Sequence, residues 1–258
     1  MRLDVFLTEK DYFSSREKAR RNIEAGMVFV NGIKITKPSF KINEKEDHIT
    51  IEGILDRYVG RGGQKLEKAI DTFGISLENK YAIDVGASTG GFTDCMLKRG
   101  VRKVIAIDVG HGQLAEALRM NEKVINMEGV NVRYCAPGDL EFLADFLCID
   151  VSFISLTLLF GVLSSFLKPD GEMVCLIKPQ FEAGKEKVGK NGIVRDEKVH
   201  EEVLEKVKKA CETNGFEVKG MIQSPIKGAE GNVEYLMYAK RLKNKGVSGD
   251  HDEIRTFY

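Results

Sequence analysis

Four polar side chains have the types that proton transfer requires, and each lies beside an apolar run of the sequence. They are Lys65 in RGGQKLEKA, Asp150 in LCIDVSF, Lys178 in CLIKPQF and Glu234 in GNVEYLMY. Two lysines and two carboxylates in one cleft would suit a weakly acidic acceptor such as a ribose hydroxyl, because a second ammonium lowers the cost of a neutral amine, while the carboxylates orient the lysines and raise that cost again. Each residue also has an ordinary interpretation, as a solvated helix face, a helix cap, a loop charge and a strand-edge residue, respectively.

A glycine-rich turn, DVGASTGGFTD, follows the apolar residues 81–83. A triphosphate-binding loop would continue with Lys and Ser or Thr after its last glycine, whereas Gly91 is followed by Phe92. A dinucleotide-binding loop would have glycine where Ser88 lies, so close approach of a pyrophosphate is disfavoured. The loop therefore suits S-adenosylmethionine, an adenosyl cofactor without phosphates. A tight strand-to-helix turn without a ligand would have the same pattern.

Two carboxylates at predicted strand ends complete this cofactor site. We expect Asp84 to contact the ammonium of the cofactor and Asp108, at the end of the next strand, to bind its ribose hydroxyls. The predicted cofactor-binding residues are Asp84, Gly86, Ala87, Ser88, Thr89, Gly90, Gly91, Phe92, Thr93, Asp108, Val109 and Asp150, and no metal is expected. Methyl transfer is an in-line displacement, so the four polar residues named first would position the acceptor and handle its proton.

The residues after the fourth predicted strand argue against methylation of a base. A cytosine carbon methyltransferase would have Pro-Cys there, and an exocyclic-amine methyltransferase Asn/Asp-Pro-Pro-Tyr. This chain has Asp150-Val151-Ser152-Phe153 instead. Cys148 lies two residues too early for a nucleophile at that place, and we interpret it as a core residue.

Alternating strands and helices must position these residues. Strands are predicted at 81–85, 103–108, 123–127, 146–151, 173–177, 216–222 and 233–239, and helices at 63–73, 92–99, 156–167 and 197–213. This alternation predicts a doubly wound α/β sheet, in which ligands bind beyond the carboxyl ends of the strands. Asp150 and Lys178 would then end the fourth and fifth strands, and Glu234 would begin the last.

The N-terminal part of the chain has a different pattern. Two short helices precede the strand pair MVFV and IKIT, which the turn Asn31-Gly32 joins, and a further strand HITIE follows. We therefore predict a small α+β domain at residues 1–53, a linker at 54–60, the α/β domain at 61–242 and a flexible tail at 243–258.

Composition restricts the class of protein. Lys+Arg and Asp+Glu both number 39, so a surface for nucleic acid must be local. The five cysteines form no CxxC pair, and no signal-peptide pattern is present, so we expect a cytoplasmic protein. The apolar stretch at residues 146–167 is divided by Asp150 and is shorter than the roughly 20 residues of a membrane-spanning helix, so no membrane is expected as a partner.

Several stretches together resemble the TlyA family of rRNA 2′-O-ribose methyltransferases, related to the FtsJ/RrmJ class. They are RGGQKL, DVGASTGGFTD, DVGHGQLA, DVSFISL, KPQFEAGKEKVGKNGIV and GNVEY, within residues 57–241. The resemblance implies a Rossmann-like, seven-stranded methyltransferase domain that uses S-adenosylmethionine to methylate cytidine riboses in ribosomal RNA of one or both subunits. The Lys-Asp-Lys-Glu set that carries catalysis in that family maps onto Lys65, Asp150, Lys178 and Glu234.

Residues 1–53 resemble the RNA-binding domain named after ribosomal protein S-four, which that family has at its N-terminus. The resemblance implies an RNA face on the second helix and the hairpin, made of Arg16, Lys18, Arg20, Arg21, Lys34 and Lys37, although a solvated helix face would look similar. The partner would be ribosomal RNA or a ribosomal subunit.

Where the family's linker often has a tryptophan, this chain has Tyr58. A non-catalytic RNA-binding or ribosome-assembly factor, and an indirect haemolysin, are the alternative functions.

Overall fold

A computed structural model describes residues 1–10, 12–13, 15–52, 57–228 and 231–243 of the chain. Its N-terminal unit contains α1 Leu3–Glu9, α2 Arg16–Glu24, β1 Val28–Val30, β2 Ile33–Ile35 and β3 Ile49–Ile51, with antiparallel strands in the order β2-β1-β3. The predicted hairpin is confirmed. Asn31 and Gly32 both have positive φ between β1 and β2, as a type I′ turn requires. Leu3, Leu7 and Ile23 bury the inner faces of the helices against this sheet.

The larger unit contains a seven-stranded sheet in the order β6-β5-β4-β7-β8-β10-β9. Its strands are β4 Tyr81–Val85, β5 Lys103–Asp108, β6 Val124–Glu128, β7 Ala144–Ile149, β8 Leu167–Ile177, β9 Phe216–Gln223 and β10 Tyr235–Arg241. Its helices are α3 Gly62–Phe73, α4 Gly91–Lys98, α5 Glu116–Arg119, α6 Phe160–Phe166, α7 Pro179–Glu182 and α8 Glu197–Thr213. The predicted α/β class is confirmed. The sequence did not indicate that β10 runs antiparallel to both of its neighbours.

Helices cover both faces of this sheet, which explains why its central strands are almost continuously apolar. On one face, Leu66 of α3 and Met96 of α4 are fully buried. On the other face, Phe160 of α6 and Val207 of α8 are fully buried. Strand residues contribute alternately to these two cores.

The strand order creates a crevice at the carboxyl ends of β4 and β7. The chain passes from β4 to β5 and β6, and then returns to the other side of β4 to form β7. Where strand order reverses in this way, the connections leave on opposite faces and a ligand-binding crevice opens between them. Gly86 follows β4 and Asp150 follows β7, so both lie at this crevice.

Several predicted boundaries are wrong by one or two residues, and one predicted helix is divided. The fourth strand of this sheet along the chain, β7, ends at Ile149, and the last strand, β10, begins at Tyr235. The predicted helix 156–167 consists of a 3-10 turn at Leu156–Leu158 followed by α6, and α6 ends at Phe166 because Leu167 already pairs with Ala144 of β7. Because β7 ends at Ile149, β8 ends at Ile177 and β10 begins at Tyr235, the residues Asp150, Lys178 and Glu234 each lie one position outside a strand.

Candidate active site

The four residues that we predicted to handle the acceptor proton line one cavity of about 460 Å³ at the edge of the sheet. Lys65 lies in α3, Asp150 and Lys178 follow β7 and β8, and Glu234 precedes β10. Because β10 is antiparallel to β8, its first residue pairs with the last residue of β8. The antiparallel strand therefore brings Glu234 to the same edge as Lys178.

Lys65 and Glu234 form a buried ion pair in the wall of this cavity. Nζ of Lys65 lies 2.6 Å from Oε2 of Glu234, and the two residues are only 8% and 3% exposed. The loop before β10 covers the pair so closely that a Cβ on Gly228 would overlap the Glu234 carboxylate. A buried ionic group of this kind depends on its partner, so each of the two residues holds the other in place.

Lys178 and Asp150 form a second ion pair in the same cavity. Nζ of Lys178 lies 2.5 Å from Oδ1 of Asp150 and donates a hydrogen bond of 3.0 Å to Oγ of Ser152. The distance between Lys178 and Asp150 is that of an ion pair, but the angles at the two atoms are not those of a hydrogen bond. Oδ1 of Asp150 is buried and accepts no hydrogen bond from any described residue. The pair therefore leaves a buried acceptor oxygen and an ammonium side by side.

Two further cavities adjoin this one, which we call the catalytic cavity because the four predicted catalytic residues line it. A cavity of about 400 Å³ shares Asp150, Ser152 and Phe153 with it. A smaller cavity of about 120 Å³ lies against the glycine-rich loop and is also lined by Asp150. Asp150 therefore lines all three cavities and marks the point at which two bound molecules would meet.

Most of the predicted cofactor residues line the two adjoining cavities. They are Gly86, Ala87, Ser88, Thr89, Gly91, Phe92, Asp108, Val109 and Asp150. Among the described residues, neither cavity has a lysine or an arginine in its walls, whereas a phosphate group would require such cations or a row of free backbone amides. These walls fit a cofactor that carries positive charge and no phosphate, such as S-adenosylmethionine.

Asp108 is held in a fixed orientation at the end of β5. Its Oδ2 accepts a hydrogen bond of 2.7 Å from the backbone N–H of Ser88, and its Oδ1 accepts one of 2.7 Å from Gly110. A carboxylate has about four acceptor positions, so these two bonds leave capacity on each oxygen. That geometry fits the expected recognition of two ribose hydroxyls.

Glycine is required at position 86 for two reasons. Its φ is +80°, and a Cβ there would overlap the backbone carbonyl oxygen of Asp150. The backbone N–H of Asp150 also donates a 2.9 Å hydrogen bond to Val85. The turn after β4 and the turn after β7 are therefore packed backbone against backbone, which fixes Asp150 beside the glycine-rich loop.

Three predicted cofactor residues, Asp84, Gly90 and Thr93, do not line either cavity. Asp84 is fully buried, and its Oδ2 accepts a 2.6 Å hydrogen bond from the hydroxyl of Thr93. Burial raises the pKa of Asp84 to about 7. Gly90 faces Leu118, which a Cβ would overlap. These residues shape the turn from inside the protein rather than facing a ligand.

The structure also adds residues that sequence reasoning missed. Gln113 and Asn131 line the larger cofactor cavity, and Arg61, Phe181 and Lys227 line the catalytic one. Asn131 closely follows β6, so its place beyond a strand end was a usable signal. Phe181 lies in the short helix α7, and the others lie on loops whose positions depend on the packing of the whole domain.

The predicted RNA face lies on the surface of the N-terminal unit. Arg20, Arg21, Lys34 and Lys37 are exposed, as is Arg16, while Lys18 is half-buried. One nitrogen of the Arg16 guanidinium is already bound within the protein, because Nε donates a 2.9 Å hydrogen bond to the buried Asp4. Together with Arg2, it holds the pKa of Asp4 down at about 2. The RNA face stays a prediction.

The segment that precedes α3 is packed against the larger unit. Tyr58 is buried, and a Cβ on Gly63 would overlap its ring. The ammonium of Lys98 lies 5.0 Å from the centroid of that ring. The backbone N–H of Val59 donates a 2.9 Å hydrogen bond to Asp94 of α4. Tyr58 thus fills a docking position where the resemblance places a tryptophan.

The five cysteines are all free thiols. Across residues 1–243, leaving out the gaps stated above, no helix combines the length and apolar character needed to cross a membrane. Within the same part of the chain, no three His, Cys, Asp or Glu residues are grouped so that they could hold a metal ion.

Comparison with known proteins agrees with this geometry. Residues 58–241 match the FtsJ-like methyltransferase family, and residues 1–49 match the S4 domain. The chain is 44% identical to Hemolysin A of Brachyspira hyodysenteriae, over 92% of this chain and 99% of that protein. It is 34% identical to the 16S/23S rRNA (cytidine-2′-O)-methyltransferase TlyA of Mycobacterium tuberculosis, over 96% and 92%.

A solved structure shows the same fold at low identity. An S-adenosylmethionine dependent methyltransferase from Mesorhizobium loti is 14% identical and superposes with a TM-score of 0.53, over 70% of this chain and 100% of that one. The match over residues 58–241 covers more than half of the sequence. The chain therefore belongs to the FtsJ-like methyltransferase family.

Proposed function

We propose that this protein methylates the ribose 2′-hydroxyl of cytidines in ribosomal RNA, with S-adenosylmethionine as the methyl donor. The observation that carries the proposal is the single cavity lined by Lys65, Asp150, Lys178 and Glu234, which Asp150 joins to a cavity without cationic walls. The name of the Mycobacterium tuberculosis relative supports cytidine riboses of 16S and 23S rRNA as the acceptors. The S4 domain match supports RNA as the partner.

The cofactor site is made by residues of this chain that bind and orient. Asp108 would hold the two ribose hydroxyls, and the backbone of residues 86–89 would contact the rest of the cofactor. S-adenosylmethionine, when bound, supplies an electrophilic methyl group. Asp150 would then face the methyl donor and the acceptor, because it lines the cavities for both.

Lys178 is the residue we assign to the acceptor hydroxyl. The ribose 2′-oxygen would form its bond to the methyl carbon as the bond from that carbon to the cofactor sulfur breaks, and its proton would pass to the amine form of Lys178, which arises when the Lys178 ammonium releases a proton to solvent. A free lysine amine is neutral at pH 7 only at a cost of about 4.6 kcal/mol. Lys65, paired with Glu234 in the wall of the same cavity, would help to position the acceptor.

An exposed aromatic residue supports a nucleotide as the occupant of the catalytic cavity. Phe153 is 91% exposed, has a positive φ of 63°, and lies with its ring centroid 5.0 Å from that of Phe181. Both rings line the catalytic cavity. Unstacked bases of single-stranded RNA bind to such exposed aromatic faces.

The domain organisation and partners follow from this proposal. Residues 1–53 would bind rRNA and residues 61–242 would carry out the reaction, joined by the linker 54–60. Of these segments and the tail 243–258, residues 11, 14, 53–56, 229–230 and 244–258 lie outside the described residues. The substrate would be rRNA within a ribosomal subunit, which places the reaction in the cytoplasm.

Mapping of 2′-O-methyl groups tests the proposal. We expect rRNA from cells that lack this protein to have lost one or more methylated cytidines, and the purified protein to restore them in vitro with S-adenosylmethionine. If no methyl group is lost and the protein binds rRNA without transferring methyl groups to it, the chain is a non-catalytic RNA-binding or ribosome-assembly factor instead.

A further inference from the structure

Cations that the proposed mechanism does not use lie along a row of adjoining cavities. The catalytic cavity shares Lys227 with a cavity of about 700 Å³ beside α8. That cavity shares Arg195 with a third one of about 430 Å³, which Lys190 also lines. Lys227 and Arg195 therefore lie where neighbouring cavities meet. We call Lys227, Arg195 and Lys190 the basic track.

The three cations of the basic track are available to a partner. All three are exposed, and none forms an ion pair with a described residue. Lys187 lines the outermost cavity too, but it pairs with Glu202 and is left out of the track. Because the chain has no net charge, a row of unpaired cations leading away from the catalytic cavity is a local feature.

The middle cavity of this row, of about 700 Å³, is acidic inside and basic at its two rims, where Lys227 and Arg195 lie. Glu197 and Glu201 also line it, so its interior would repel a phosphate. Its wall also contains His200 and Tyr235, whose Nδ1 and hydroxyl are 3.0 Å apart. An uncharged base fits such a surface, while the phosphates on either side of it would lie at the rims, where Lys227 and Arg195 are.

One buried side chain fixes the track relative to the catalytic residues. Asn232 is 3% exposed, its Oδ1 accepts a 3.1 Å hydrogen bond from the N–H of Val194, and its Nδ2 donates one of 2.9 Å to the carbonyl of Gly192. The loop that carries Lys190 and Arg195 is therefore tied to the segment that leads into Glu234. The track is a built extension of the catalytic cavity rather than a set of independent surface lysines.

We propose that the basic track binds the backbone of the RNA strand next to the acceptor nucleotide. Successive phosphates contact Lys227, Arg195 and Lys190, and an intervening base occupies the middle cavity. This inference rests on the proposed function, since the strand is the same RNA whose ribose enters the catalytic cavity. It gives the methyltransferase domain an RNA-binding site of its own, separate from the N-terminal unit.

The test compares two triple variants of the full chain. One is Lys190→Ala, Arg195→Ala and Lys227→Ala. The matched control is Arg119→Ala, Lys123→Ala and Lys209→Ala, which removes the same charges from exposed positions away from the cavities. The affinity for ribosomal subunits purified from cells that lack this protein is measured at several salt concentrations. S-adenosylmethionine affinity and the unfolding temperature check that both variants are folded.

Three lost phosphate contacts should reduce the salt slope of log affinity by about 2, at roughly 0.7 for each contact with a single strand. The control should keep the wild-type slope. A track variant with the wild-type slope, or a control that loses as much slope as the track variant, would overturn the inference. A wild-type protein that neither binds nor methylates the RNA would contradict the proposed function instead, so the two failures are distinguishable.

Discussion

Lys178 has the most direct part in the proposed chemistry. Its extended backbone, with φ −112° and ψ 102°, is the conformation favoured before a proline, and it places Nζ beside Asp150 and Ser152. Lys178→Ala should reduce methyl transfer to rRNA by about 10²–10⁴-fold, the usual contribution of a general acid–base group. Single-turnover methylation and S-adenosylmethionine affinity are the measurements, and the affinity should not change.

Two further variants make this prediction sharper. Lys178→Arg keeps a charge for Asp150 but has no neutral form near pH 7, so it should be as inactive as Lys178→Ala. Lys68→Ala, an exposed residue of α3 close to Lys65, is the control and should be nearly silent. Near-normal activity in Lys178→Arg would remove the proton-accepting role of this residue.

Asp84 makes the protein less stable as pH rises, which is the opposite of the effect of a carboxyl group in an ion pair. Burial raises its pKa from 3.8 to about 7, so below pH 7 the folded protein keeps a proton that the unfolded chain releases above about pH 4. The stability contributed by this proton is therefore lost as pH rises from about 4 to 7, by up to about 4 kcal/mol.

An Asp84→Asn variant removes this effect, because an amide does not titrate. Its free energy of unfolding minus that of the wild type should therefore increase between pH 4 and pH 8. Urea unfolding at several pH values provides the measurement. Using the difference cancels other titrating groups such as Asp4, whose pKa is about 2. A difference that does not change with pH would show that Asp84 is ionised in the folded protein.

At the scale of elements, the sequence predicted the strands better than the turns between them. Strands β4 and β5 lie at the predicted residues, because each is a short apolar run with a polar residue at its end. The division of the predicted helix 156–167 could not be seen in the sequence. The end of α6 at Phe166 depends on Leu167 pairing with β7, which is a tertiary contact.

The turn after β4 should tolerate no side chain at position 86. In Gly86→Ala, the new Cβ would collide with the carbonyl of Asp150 in addition to the strain of positive φ. We expect a loss of unfolding free energy well above the roughly 1 kcal/mol of conformational strain alone, together with weaker S-adenosylmethionine binding. Urea unfolding and calorimetry measure the two effects.

A second glycine variant separates collision from strain. Gly215 has a similar φ of +84°, and nothing lies within 4 Å of a Cβ built there. Gly215→Ala should therefore show the strain alone and leave cofactor affinity unchanged. Equal stability losses in the two variants would mean that the close approach of the two turns does not matter.

At the scale of the whole molecule, the candidate site combines segments that the sequence keeps far apart. Lys65 and Glu234 were selected from the sequence by residue type and resemblance, yet their ion pair depends on β10 running antiparallel to β8. The same fold places Lys227 and Arg195 in one row with the catalytic cavity, which no local pattern could indicate. The gathering of the four residues at one edge of the sheet was therefore predictable, whereas the ion pairs among them and the adjoining row of cavities were not.

The same packing defines where the methyltransferase domain begins. Removing residues 1–53 should leave a folded protein that binds S-adenosylmethionine and has lost much of its rRNA affinity. Removing residues 1–60 also deletes Tyr58, which is 4% exposed, and the hydrogen bond from Val59 to Asp94. Loss of a buried aromatic ring of this kind costs about 3–5 kcal/mol, so the shorter chain should unfold at lower urea than the longer one. Equal urea midpoints would show that residues 57–60 belong with the linker, whereas the expected difference would make Tyr58 part of the core beneath the catalytic helix α3.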